Sequence, residues 1–128
     1  SMRLTDIIIE FDRSGTTLQA TLNDTNTAKL LSEILPINAT VNLWGDEIYF
    51  GIDLFTDNES PQETVELGDL AYWPPGNAFC VFFGDTPAST GGEIKPASAV
   101  TVIGKLKSDP IILKDIKSLD NITIRSKS

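Results

Sequence analysis

Between Gly68 and Gly84 the chain reads GDLAYWPPGNAFCVFFG, two apolar runs separated by Trp73-Pro74-Pro75-Gly76-Asn77. Proline fixes φ and has no N–H to give to a ladder, so Pro74-Pro75 must end one strand, while Gly76 and Asn77 tolerate positive φ. The expectation is a strand over 65–73, a rigid turn, and a second strand over 78–83. That second run carries no polar side chain, as a strand covered on both faces requires. Alternation puts Phe79, Val81 and Phe83 on one face and Ala78, Cys80 and Phe82 on the other, so its three phenylalanines cannot share one core. The outer set then needs cover from a helix, a loop or a ligand.

The remaining pattern is also mostly strand. Residues 6–11 and 16–22 read as a hairpin about Arg13-Ser14-Gly15. Asn23-Asp24-Thr25-Asn26 offers N-caps to a helix ending before Pro36, with Leu30, Leu31, Ile34 and Leu35 as its buried stripe. Strands are expected over 39–44 and 47–54 about a Gly45-Asp46 turn, over 99–106 and over 122–125, with a short helix opened by Asp109-Pro110. Polar loops over 56–63 and 85–95 are placed to rim a site. Ile7, Ile8 and Ile9 are apolar on both faces of the first strand, which calls for cover by a helix or a second chain and leaves monomer and homodimer open. Seven or eight short strands with two short helices point to a closed antiparallel barrel. A chain of 128 residues forms one domain with a core of its own; Ser1 ahead of Met2 reads as an expression remnant, leaving 2–128 as that domain.

Four stretches, in order, resemble the small prokaryotic cyclophilin-like family of uncharacterised proteins, an atypical branch of the cyclophilin barrel. They are VNLWGDEIYF over 41–50, WPPGNAFCVFFG over 73–84, GDTP over 84–87 and PASAVTVIGK over 96–105. The resemblance implies a mainly β protein, a closed antiparallel cyclophilin-like barrel with one helix near 25–35 and a short one near 110–117. It also raises peptidyl-prolyl isomerisation, which in full-length cyclophilins places an arginine beside the rotating amide. The matching strand, 39–44, has no arginine, and Arg3, Arg13 and Arg125 lie near the chain ends.

Much chemistry is excluded by composition. There is no histidine, which removes Ser-His and Cys-His nucleophiles and imidazole metal sites. One cysteine, Cys80 in the most apolar strand, makes neither a disulfide nor a thiolate zinc site and reads as a small buried hydrophobe. Neither GxGxxG nor GxxxxGK[ST] occurs. No cofactor and no metal are expected. A net charge of −8 with 10 basic residues argues against nucleic acid, no apolar run reaches the ~18 residues of a membrane span, and a lone thiol fits a cytoplasmic location.

Carboxylates and aromatics remain. Asp46-Glu47 sits between Trp44 and Tyr49, the one acidic pair embedded among aromatics. Glu47 reads either as a desolvated acid or base, or counter-charge for a cationic ligand, or as a solvated strand start; Asp46 and Asp85 read as turn residues. Three functions are weighed. The favoured one is a non-catalytic module binding a peptide or small molecule through Trp44, Glu47, Tyr49, Phe83, Thr86 and Pro87. The others are a prolyl isomerase, and an enzyme or enzyme subunit using Glu47 as acid–base group with Asp85 second.

Overall fold

The computed structural model describes residues 5–127. The chain opens with a hairpin of β1 (Thr5–Phe11) and β2 (Thr17–Leu22), paired from Thr5 opposite Leu22 to Glu10 opposite Thr17. The one α-helix among the described residues, α1 (Asn26–Glu33), starts where the Thr25 side chain accepts a hydrogen bond from the Ala28 N–H. The carboxylate of Glu59 reaches the same end and takes bonds from the Thr27 N–H and hydroxyl, both at 2.6 Å. Bonding to those donors holds Glu59 below the ordinary carboxylate range.

Strands β3 (Ile37–Thr40), β4 (Asn42–Leu43), β5 (Glu47–Gly51) and β6 (Pro61–Gln62) follow. The proline turn then joins β7 (Asp69–Trp73) to β8 (Ala78–Phe82), and β9 (Val100–Leu106) and β10 (Asn121–Ser126) complete the sheet. The order is β3-β10-β1-β2-β9-β7-β8-β5-β4, with β6 added beside β9, and every pairing is antiparallel. The end strands β3 and β4 are joined through Val41, so the sheet curls into a nearly closed barrel, as the strand count and the resemblance imply.

The 78–83 run divides by period 2 between two clusters. Phe79, Val81 and Phe83 enter the barrel interior, where Phe79 stacks on Phe50 at 5.4 Å between centroids. Ala78, Cys80 and Phe82 form a smaller cluster on the outer face with Val65, Ala71 and Val100. Tyr72 is also interior, its hydroxyl donating to the Leu54 carbonyl at 2.6 Å and accepting from Asn77 at 3.1 Å. Ile7, Ile9 and Phe11 face the interior, and Ile8 on the other face is 6 % exposed within a single chain.

Several local expectations need correction. The helix stops at Glu33, because a residue before proline is driven out of the α region. It buries Thr27, Ala28 and Leu31, while Leu30 is 38 % exposed and Ile34 and Leu35 only flank the core. The short helix expected near 110–117 is a 3-10 segment, Pro110–Asp115. Strand 65–73 begins only at Asp69, Val65 making an isolated bridge to Ile94, and strand 47–54 ends at Gly51. In the proline turn, itself a 3-10 turn over Pro74–Gly76, Asn77 takes the left-handed conformation at φ 46°. Gly76 does not; it is needed for space, since a Cβ there would stand 2.7 Å from Cζ3 of Trp73.

Candidate functional site

On the outer face of β5, β8 and β7 a buried carboxyl group meets aromatic side chains. Its position is set by two interlocked turns. Between β4 and β5 the chain reverses over Gly45-Asp46, with Trp44 and Glu47 exchanging backbone hydrogen bonds at 2.9 and 3.2 Å. Gly45 has φ +59°, and a Cβ there would meet Pro87 Cδ at 2.8 Å and the Asp85 carbonyl at 2.9 Å. The Asp46 N–H donates to that Asp85 carbonyl at 2.8 Å, and the Asp46 carbonyl accepts from the Phe83 N–H at 2.9 Å. Lys114 pairs with the Asp46 carboxylate at 2.8 Å. Asp46 and Asp85 are therefore turn residues, as their neighbours imply.

From that turn β5 points Glu47 and Tyr49 outward, opposite Phe82 and Cys80 of β8. Trp73, at the end of β7, lies opposite Ala78 on the same face. Pro96 and Ala97, just after the 85–95 loop, come to the same place. Trp44, Glu47, Tyr49, Trp73, Pro96 and Ala97 enclose a cavity of about 240 Å³. At ~30 Å³ per water this is room for about eight waters, the size of a fragment or a headgroup rather than a drug-sized molecule. Trp73 is fixed by its N–H, which donates to Ser98 Oγ at 2.7 Å, and by the close approach of its ring to Gly76.

Glu47 is the chemical centre of this cavity. It is 6 % exposed, so it is no solvated strand start, and its Oε1 is the one buried side-chain oxygen or nitrogen without a hydrogen-bond partner among the described residues. Burial pushes its carboxyl up from 4.5 to about 7, partly offset by the Cys80 thiol beside it. Cys80 is buried too, and burial together with the neighbouring Glu47 pushes its thiol well above its ordinary value. No lysine or arginine lines the cavity. Among the described residues no three histidine, cysteine, aspartate or glutamate side chains gather in a metal-holding group.

Of the six candidates from the sequence, Trp44, Glu47 and Tyr49 come together here; Phe83, Thr86 and Pro87 do not line the cavity. Phe83, 4 % exposed, belongs to the barrel interior. Thr86 is buried in its own turn, where its hydroxyl donates to the Lys95 carbonyl and its N–H donates to Ser89 Oγ. Pro87 packs over Gly45. Neither expected rim loop lines the cavity: the 56–63 loop closes instead over α1 through Glu59 and over β9 through Asn58, which accepts from the Thr101 hydroxyl. Sequence reasoning missed Trp73, Pro96 and Ala97. Trp73 carried one usable signal, its shared parity with Ala71 on β7, but the register that sets it near Tyr49 is not local.

This barrel, with its helix and proline turn, matches the cyclophilin-like family over residues 5–125, and the chain belongs to that family. Among solved structures it is similar to a hypothetical protein from Archaeoglobus fulgidus, known in solution, at 37% identity and a TM-score of 0.78. The alignment covers 94% of this chain and 93% of that one. No curated protein matches the chain. Among the described residues no helix is long and apolar enough to cross a membrane.

Proposed function

We propose that the protein is a binding module whose ligand seat is the cavity of Trp44, Glu47, Tyr49 and Trp73, taking a small molecule or one side chain of a peptide. The observation that carries this reading is the unpartnered Glu47 Oε1 at an aromatic cavity. A buried polar atom left without a partner destabilises the fold by ~1–3 kcal/mol, and a ligand that supplies a hydrogen bond or an opposite charge there offsets that penalty. Isomerase chemistry of the cyclophilin kind finds no arginine here, since none lines the cavity and Arg125 is paired with Glu10 at 2.8 Å. The test is a two-dimensional amide and indole NMR screen with small fragments and a proline-containing peptide, recording the peptide's cis–trans exchange in the same tube. Shifts confined to the Trp44 and Trp73 indoles and the amides of 47–49, with unchanged exchange, support the module. Accelerated exchange, or a complete lack of shifts at those positions, refutes it.

A second reading is favoured by one specific property. A carboxyl brought to about 7 is suited to general acid–base catalysis at neutral pH. If Glu47 transfers protons in a reaction, Glu47→Gln lowers turnover by the ~10²–10⁴ that such catalysis contributes, while binding of a neutral ligand persists.

A further inference from the structure

The lining of the seat restricts what enters it, and this inference rests on the binding reading above. Three of its walls are the rings of Trp44, Tyr49 and Trp73; Pro96 and Ala97 add apolar cover; Glu47 supplies the one carboxylate. An anion would meet that carboxylate with no lysine or arginine to offset it, in a chain of net charge −8. A hard metal ion demands six to eight oxygens, and the lining side chains offer only one carboxyl and one phenol. The Trp73 N–H is committed to Ser98, so toward a guest that residue presents its ring and not a donor. Rings of this kind attract a cation through their negative faces, most strongly when the cation is weakly hydrated. We infer that the seat takes a compact organic cation, a methylated ammonium head held among Trp44, Tyr49 and Trp73 with Glu47 as counter-charge. The chemistry is common to a free quaternary amine and to a methylated lysine side chain.

Protonation should gate this binding. The other titratable groups facing Glu47 are the Tyr49 phenol on its own strand and, on β8, the Cys80 thiol, which burial pushes well above its ordinary value; Trp44, Trp73, Pro96 and Ala97 contribute none. With a carboxyl near 7, the ionised fraction rises about tenfold between pH 6 and pH 8, and cation affinity should rise with it.

The protein's two tryptophans both line the seat, which gives the assay. Intrinsic fluorescence is titrated with choline and with its neutral isostere 3,3-dimethylbutan-1-ol at pH 6 and pH 8, on the wild type and on Glu47→Gln. The inference expects choline to bind at least about tenfold more tightly than the isostere at pH 8 and to gain about tenfold from pH 6 to 8; in Glu47→Gln the pH dependence is lost and only the part of the advantage owed to the rings remains. Glu47→Phe, which fills the seat and keeps the apolar cluster, should bind neither compound. Equal affinity for choline and isostere overturns the cation inference while leaving the binding module standing. No response to choline at either pH overturns the inference as well, and the fragment screen then decides the module separately. A trimethyllysine pentapeptide identifies the source: tighter binding than choline assigns the head to a side chain, weaker binding to a free amine, and either order supports the cation.

Discussion

Replacing Glu47 by glutamine should abolish the pH dependence of stability that this residue imposes. Its carboxyl titrates at about 7 in the fold and near 4.5 when exposed, each intervening pH unit being worth ~1.36 kcal/mol. Between those values the folded chain keeps a proton that the unfolded chain releases. The stabilisation tied to that proton is therefore full below pH 4.5 and lost as pH rises through 7. The loss is at most about 3 kcal/mol by pH 8, or roughly 10 °C in Tm for a domain of this size. Glutamine resembles the protonated acid in shape and cannot ionise. Urea unfolding of both proteins at pH 5, 6, 7 and 8 should show near-equal stability at pH 5 and a Glu47→Gln advantage that grows to ~2–3 kcal/mol at pH 8. The carboxyls of Asp6, Glu59 and Glu66, held low by hydrogen bonds, titrate in both proteins and cancel in the difference. A difference that stays flat from pH 5 to 8 would refute the reasoning.

Other substitutions test the frame around the site. Gly76→Ala forces a methyl into the Trp73 ring, so it should cost ~1–3 kcal/mol, shift the tryptophan emission and weaken any ligand of the seat, all readable in one fluorescence-detected denaturation. Thr25→Ala removes the bond to the Ala28 N–H and should lower stability by ~1 kcal/mol without changing that emission. Cys80, buried and with its thiol pushed up, should resist iodoacetamide at pH 8 in the folded protein and react at the ordinary rate in urea, as mass spectrometry would show. Fast labelling of the native protein would contradict the burial assigned to it.

The parts of this structure that were legible in the sequence are those decided by neighbours along the chain. Two prolines followed by Gly76-Asn77 can hardly be anything but a turn, and strict alternation through 78–83 is enough to divide Phe79 and Phe83 from Phe82. The Glu47 neighbourhood was visible as an acidic residue among aromatics, yet its burial was not, because the cavity it shares is also lined by Trp73, Pro96 and Ala97, up to about fifty residues away in the chain. Trp73 escaped for a related reason: only the β7–β8–β5 register brings it beside Tyr49. Phe83, Thr86 and Pro87 look like site residues by proximity to a motif, but Phe83 has the parity of the interior, and the other two serve the turn that locks Gly45. Leu30 fits the helical stripe of Leu31, Ile34 and Leu35, but the face that packs inward is the one with Thr27, Ala28 and Leu31, a choice made by tertiary packing and not by spacing.

Burial holds the Glu47 carboxyl protonated up to near neutral pH, and the site rests on that. Carbon-13 NMR of the Glu47 side-chain carboxyl, assigned by comparison with Glu47→Gln and followed from pH 3 to 9, measures this directly. A midpoint near 7 that falls when choline is added is the expected result. A midpoint near 4.5, unmoved by choline, would show Glu47 to be an ordinary solvated carboxylate and would contradict the assignment of the site.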